Sequence, residues 1–139
     1  MHKEEKEELR KQIRKVEGYL IDKKNIIVLF ERDIGNFYCD DIITINNRQN
    51  LRYQLHTLLH EAGHALIRGN KRRFLEKYPS LSMKKNSKSY RLDTLKEEME
   101  AWNRGYNLAS RLSIELNERW WKRHSEECLY DYVKWVANV

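Results

Sequence analysis

Leu58-Leu59-His60-Glu61-Ala62-Gly63-His64-Ala65-Leu66 is the stretch from which both fold and chemistry can be read. Together with Leu55, its apolar residues Leu58, Leu59, Ala62 and Leu66 recur in steps of three and four, the spacing of a core-facing helix. Side chains four apart on a helix stand one above the other, so His60 and His64 share a side. Two neutral imidazoles one turn apart can hold a single zinc ion. Glu61, between them, is turned away from such an ion but still reaches a water bound to it. That water is acidified toward neutrality, and a carboxylate beside it can take its proton and later hand it to a leaving amine. The pattern predicts a zinc-dependent hydrolase of peptide bonds, with one Zn2+ per chain and Glu61 as general base. Ala62 and Gly63 are small, which lets another element approach the motif closely.

A catalytic zinc normally has three protein ligands and an open position. A third histidine in the spacing H-E-x-x-H-x-x-G-x-x-H is closed off, because Ile67 and Asn70 stand at those positions. The next histidine, His124, lies 60 residues beyond His64. Glu97, Glu98 and Glu100 remain, on a predicted second long helix that starts near Asp93 or Thr94. Its core stripe reads Leu95, Met99, Trp102, Tyr106, Ala109 and Leu112, continuing to Leu116. At ~100° per residue from Leu95, Glu98 falls at about −60°, on the edge of that stripe. Glu97 and Glu100 point about 140–160° from its centre. Thr94-x-x-Glu97 also matches a capping box, which gives Glu97 a structural use. Glu98 is therefore the expected third ligand, and Gly105 leaves room for another backbone on its side.

The rest of the chain builds outward from these helices. Residues 3–20 form an amphipathic pattern with Leu9, Ile13, Val16 and Leu20 on one side and Gly18 near the end. Ile26 to Phe30 reads as a buried strand, Asp33-Ile34-Gly35-Asn36 as a turn, and Phe37-Tyr38-Cys39 and Ile42-Ile43-Thr44-Ile45 as further strands. Asp40-Asp41 between them is read as a turn rather than a metal pair. An asparagine among Asn46, Asn47 and Asn50 caps the motif helix, which runs from about Gln49 to Arg68. Gly69-Asn70 supplies a left-handed end. Residues 70–92 read as a long loop with one helical turn around Phe74–Tyr78. Ser125-Glu126-Glu127 starts a last helix to about Ala137 that buries Leu129, Val133 and Val136. The expected architecture is α+β in one domain, residues 1–139. A small, mainly antiparallel sheet of about three strands packs on the motif helix and the second long helix. The core spans 25–116, between an N-terminal helix (1–20) and a C-terminal helical extension (117–139).

Composition narrows the setting. The charged residues at the N-terminus do not form a signal peptide, and no apolar run approaches the ~20 residues needed to cross a bilayer. Cys39 and Cys128 are far apart and belong to no C-x-x-C pair, so reduced thiols in a cytoplasmic protein are expected. The formal charge of +6 is uneven: residues 68–91 hold nine Lys/Arg against the single acid Glu76. Such a segment can contact nucleic acid, but a solvated loop is the commoner case and the favoured reading.

With these residues in place, the chain resembles the zincin metallopeptidases with a glutamate ligand (gluzincins), and among them the short ImmA/IrrE-like group. The likeness covers about residues 25–112: the small sheet, Ile43-Thr44-Ile45-Asn46, the H-E-x-x-H helix, and Glu98-x-x-Ala101-Trp102 with Leu108-Ala109 downstream. The resemblance implies zinc on His60, His64 and Glu98, Glu61 as general base, and a protein or peptide substrate, often a regulator such as a repressor. Trp102 stands where such proteins often carry Asn or Asp, and the helix-turn-helix that often accompanies them is not read here.

Further side chains fit the cleft of such an enzyme. His56, one turn before His60, is a candidate for lining it or steadying an oxyanion. Tyr53, Tyr90 and Tyr106 are candidate donors. Trp120-Trp121-Lys122-Arg123-His124 mixes aromatics and cations as single-strand binders do, although one buried and one half-buried ring is the simpler reading. Two other functions compete. One is an SprT-like protease of DNA-bound proteins that uses the 68–91 segment as a DNA contact, although a third histidine ligand is not found. The other is a non-catalytic binding module on a zincin-like fold.

Overall fold

The computed structural model describes residues 2–32, 34–83, 85 and 87–138. Asp33 of the expected turn, and Lys84 and Asn86 of the expected loop, lie outside the described residues. Helix α1 (Lys3–Lys24) buries Leu9, Ile13, Val16 and Leu20, each burial worth roughly 1.5–3 kcal/mol. It passes Gly18 and ends at Asn25, whose left-handed backbone (φ 55°) turns its N–H back onto Leu20 O. Leu20 completes the stripe only if the helix continues past the glycine.

The three expected strands form, as β1 (Ile27–Glu31), β2 (Phe37–Cys39) and β3 (Ile42–Asn46). They make a mixed sheet in the order β1-β3-β2, not a mainly antiparallel one. Asp40 and Asp41 both have positive φ (49° and 61°), the backbone of a two-residue hairpin, which sets β2 antiparallel to β3 with Cys39 opposite Ile42. β1 runs parallel to β3 with Ile27 opposite Ile42. β3 takes the centre because Ile43, Thr44 and Ile45 are all buried. β1 is an edge strand with only one face covered: Ile27 and Leu29 are exposed, and Phe37 and Ile42 join them on the outer face. The inner face adds Val28, Phe30, Tyr38, Ile43 and Ile45 to the core.

Helix α2 (Leu51–Arg68) begins at Asn50, whose side chain accepts from Tyr53 N–H. Its end differs from expectation. Gly69 is right-handed (φ −61°), and Asn70 caps the next helix by accepting from Arg73 N–H. Much of 70–92, read above as a loop, is correspondingly helical: 71–77, 79–82 and 88–92. Helix α3 (Lys71–Lys77) and a 3-10 turn (Pro79–Ser82) bring Phe74, Tyr78 and Leu81 against Ile67 and Ala101. Helix α4 (Lys88–Arg111) starts at the Ser87 cap, before Asp93. Short elements opened by polar caps carry too few apolar residues to show a period. Helix α5 (Glu118–Ala137) likewise starts earlier than expected, at Asn117, because an asparagine side chain on Trp120 N–H makes the cap assigned above to Ser125. Trp121 and His124 are its buried residues and Val133 is exposed. Trp120 is 38 % and Trp121 7 % exposed, the expected split between the two rings. No helix among the described residues is long and apolar enough to cross a membrane.

The site depends on how closely α2 and α4 pack. A Cβ on Gly63 would meet Ala101 O at 2.1 Å, and one on Gly105 would meet Leu59 O at 2.6 Å. Only hydrogens at these two positions allow the backbones to touch. The α4 face pressed onto α2 is Glu97, Glu98, Ala101, Trp102, Gly105, Leu108 and Ala109, while Met99 and Tyr106 of the expected stripe are exposed. The stripe is displaced by about 80° on the helical wheel, because small residues and carboxylates beside Trp102 and Leu108, rather than Met99 and Tyr106, mark the contact.

Candidate metal centre

His60 and His64 come from consecutive turns of α2 and Glu98 from α4, and all three are buried. Their ligand atoms converge: Glu98 Oε2 is 2.9 Å from His60 Nε2 and 2.9 Å from His64 Nε2, and the two Nε2 atoms are 3.2 Å apart. Within the described residues this is the one group of three or more His, Cys, Asp or Glu side chains placed to hold a metal ion. A tetrahedral zinc with Zn–N of about 2.0–2.1 Å spaces its ligand atoms about 3.3 Å apart. The group needs to open by only a few tenths of an ångström to fit one.

The electrostatics match that donor set. Burial works against ionisation of Glu98, but hydrogen bonds from His60 and His64 hold its pKa well below the usual range. Burial would also lower the His64 pKa, yet its bonds to Glu97 and Glu98 raise it to about 10.

Glu97 is the residue beside this group that sequence reasoning misplaced. Thr94 lies within α4 and donates to Tyr90 O (2.8 Å), so the expected capping box does not form. Glu97 is instead buried, accepts from His64 Nδ1 (2.7 Å), and receives Arg68 through Nε (2.9 Å) and Nη2 (2.6 Å). Despite burial, these partners lower its pKa. It orients His64 and makes the imidazole a stronger donor. His60 has no such partner: its buried Nδ1 is without a hydrogen bond among the described residues. Its ring stacks on Trp102 instead, centroids 4.3 Å apart, which accounts for a tryptophan at that position.

The group opens into a cleft of about 360 Å³ that Glu61 also lines. Burial raises the Glu61 pKa, while the His60 and His64 rings beside it pull the other way. Tyr132 of α5 lines the same cleft; burial, then the nearby Glu98 charge, raises its pKa and keeps it protonated. Cys128 lines the cleft too, its thiol pushed up to about 11 mainly by burial. Sequence reasoning missed Tyr132. Its signal was a spacing of four from Cys128 and of eight from the buried His124, legible only with α5 started at Asn117.

The other expected cleft residues sit elsewhere. His56 lies behind the site, its Nδ1 3.1 Å from His124 Nδ1 and its ring edge-on to Trp121. Burial lowers the pKa of His56 to about 3 and that of His124 to about 4, so the two are a neutral pair, one donating to the other. His124 also stacks on Tyr53, centroids 3.8 Å apart. Tyr106 donates to Glu118 (2.6 Å) at the surface, and neither Tyr106 nor Tyr90 lines the cleft. Compared with protein-family models, curated proteins and solved structures, the chain matches none.

Proposed function

We propose that this chain is a zinc-dependent peptidase of the glutamate-ligand type. The observation that carries the reading is the convergence of His60 Nε2, His64 Nε2 and Glu98 Oε2 at the floor of a cleft that also holds a buried carboxylate, Glu61. Two histidines and one carboxylate are a catalytic zinc set, since they leave a coordination position free. When bound there, the ion polarises the substrate carbonyl and acidifies water. Glu61 accepts a proton from the attacking water as its oxygen bonds to the carbonyl carbon. It then delivers that proton to the amide nitrogen as the C–N bond breaks, leaving a carboxylate and an amine. Glu97 holds His64 in the tautomer that points Nε2 into the site. Tyr132 offers an O–H to negative charge developing on the carbonyl oxygen. Trp102, with Trp121 and His124 of α5 set edge-on against it, keeps bulk water from the rear of the cleft.

The test is peptide hydrolysis by zinc-loaded protein, wild type against Glu61→Gln. Cleavage by wild type, with a loss of at least a hundredfold in Glu61→Gln at unchanged zinc content, supports the reading. Equal activity in the two removes Glu61 from the mechanism, and zinc binding without any cleavage leaves a binding module.

A further inference from the structure

Arg68 follows His64 by one turn on α2 and is the one Lys or Arg among the described residues lining the cleft. Its guanidinium is held on two sides: Nε and Nη2 grip Glu97, and the Phe74 ring lies 4.9 Å from Cζ. Nη1 has no partner among the described residues, and 45 % of the side chain is exposed. The guanidinium is oriented by a buried carboxylate, and the Nη1 edge that an Nε/Nη2 fork leaves open belongs to a side chain that lines the cleft.

We infer that Arg68 forms a subsite for a carboxylate of the substrate, about two residues from the scissile bond. The inference rests on the peptidase reading above and names its substrate class. The register follows from the shared carboxylate. His64 Nδ1 (2.7 Å) and Arg68 Nε (2.9 Å) meet on the same Glu97 Oε2, which keeps the guanidinium within ~6 Å of the His64 ring, and an extended peptide advances ~3.3 Å per residue. A second observation points the same way. The cationic segment begins at Arg68, and Lys71 and Arg73 on α3 are exposed with no ion-pair partner among the described residues, which extends positive potential past the end of the cleft. The carboxylate can belong to an Asp or Glu side chain or to a peptide C-terminus.

Zinc-anchored probes separate these cases without requiring turnover. Peptide hydroxamates are titrated into the zinc-loaded protein in matched pairs: an Asp or Glu side chain against Asn or Gln, and a free C-terminus against its amide. Wild type should bind the acid of at least one pair roughly ten- to hundredfold more tightly than the amide, the scale of a hydrogen bond to a charged group. The pair showing the preference identifies the source. Arg68→Gln should abolish the preference, and Arg68→Lys, which keeps the charge but not the fork, should retain part of it. Equal affinities within both pairs in wild type, or a preference surviving in Arg68→Gln, would overturn the inference and leave the peptidase reading intact. Failure of every hydroxamate to bind would remove both.

Discussion

Replacing Gly63 with alanine should push apart the two helices that carry the site. An ideal Cβ there lies 2.1 Å from Ala101 O, 2.8 Å from Ala101 C and 3.0 Å from Ala101 Cα. All three atoms are backbone, so no side chain can rotate out of the way. Non-bonded atoms of this kind settle near ~3.5 Å, so α4 must retreat by about 1 Å or more. Overpacking of this sort costs ~1–3 kcal/mol or more, which exceeds the gain of up to ~1 kcal/mol from alanine in a helix. The same retreat carries Glu98, one turn before Ala101, away from His60 and His64, which flank residue 63. Their 2.9 Å separations from Glu98 would widen past the ~3.3 Å edge of a tetrahedral site. Zinc affinity should then fall at least tenfold, ~1.4 kcal/mol. Competition with a chromogenic chelator measures the affinity, and urea unfolding of the metal-free protein measures the stability. An alanine variant with unchanged zinc affinity and an unchanged midpoint would refute the account of how α2 and α4 build the centre.

Three further outcomes follow from particular contacts. Glu97→Gln removes the charge on His64 Nδ1 and should weaken zinc binding ~10–100-fold in the same competition assay; no change would return Glu97 to a purely structural role. Tyr132→Phe should keep one zinc per chain and lower kcat by up to ~100-fold with little change in KM, and an unaltered kcat would exclude its hydroxyl from the transition state. His56 and His124 have folded pKa values of about 3 and about 4, below the ordinary 6.5. The unfolded chain therefore takes up protons first at these two sites, so the pair's contribution to stability is full above pH 6.5 and is lost as pH falls toward about 4. The slope is ~1.4 kcal/mol per pH unit for each histidine. Urea unfolding of the metal-free protein across that window should show the slope cut by about half in His124→Gln, and an identical slope would mean that the pair is not neutral when folded.

What could be read from the chain and what could not have physical reasons. The motif helix was legible because its apolar residues keep a strict helical period and Asn50 caps it in the usual way. Glu98 was legible because any wheel placing Trp102 inward brings Glu98 near the contact. Glu97 was not, because the wheel was centred on Met99 and Tyr106, which hydropathy favours, whereas the real contact is made by Ala101 and Gly105. Hydropathy cannot see that two backbones touch. The hairpin at Asp40-Asp41 was visible in residue type, but the parallel pairing of β1 with β3 was not. Strand order depends on which strand offers two buried faces, and Ile43-Thr44-Ile45 and Ile26–Phe30 look equally apolar in sequence. The starts of α4 and α5 were missed for one reason: a serine and an asparagine act as caps only once the helix behind them is anchored.

The central claim is best tested by metal analysis of the purified chain and of three variants, His60→Ala, His64→Ala and Glu98→Ala, with X-ray absorption at the zinc edge for the wild type. The account predicts one zinc per chain, first-sphere scattering from two imidazoles and light oxygen donors, and loss of the ion in each variant. A wild type that takes up no zinc, or full retention of zinc by Glu98→Ala, would contradict it.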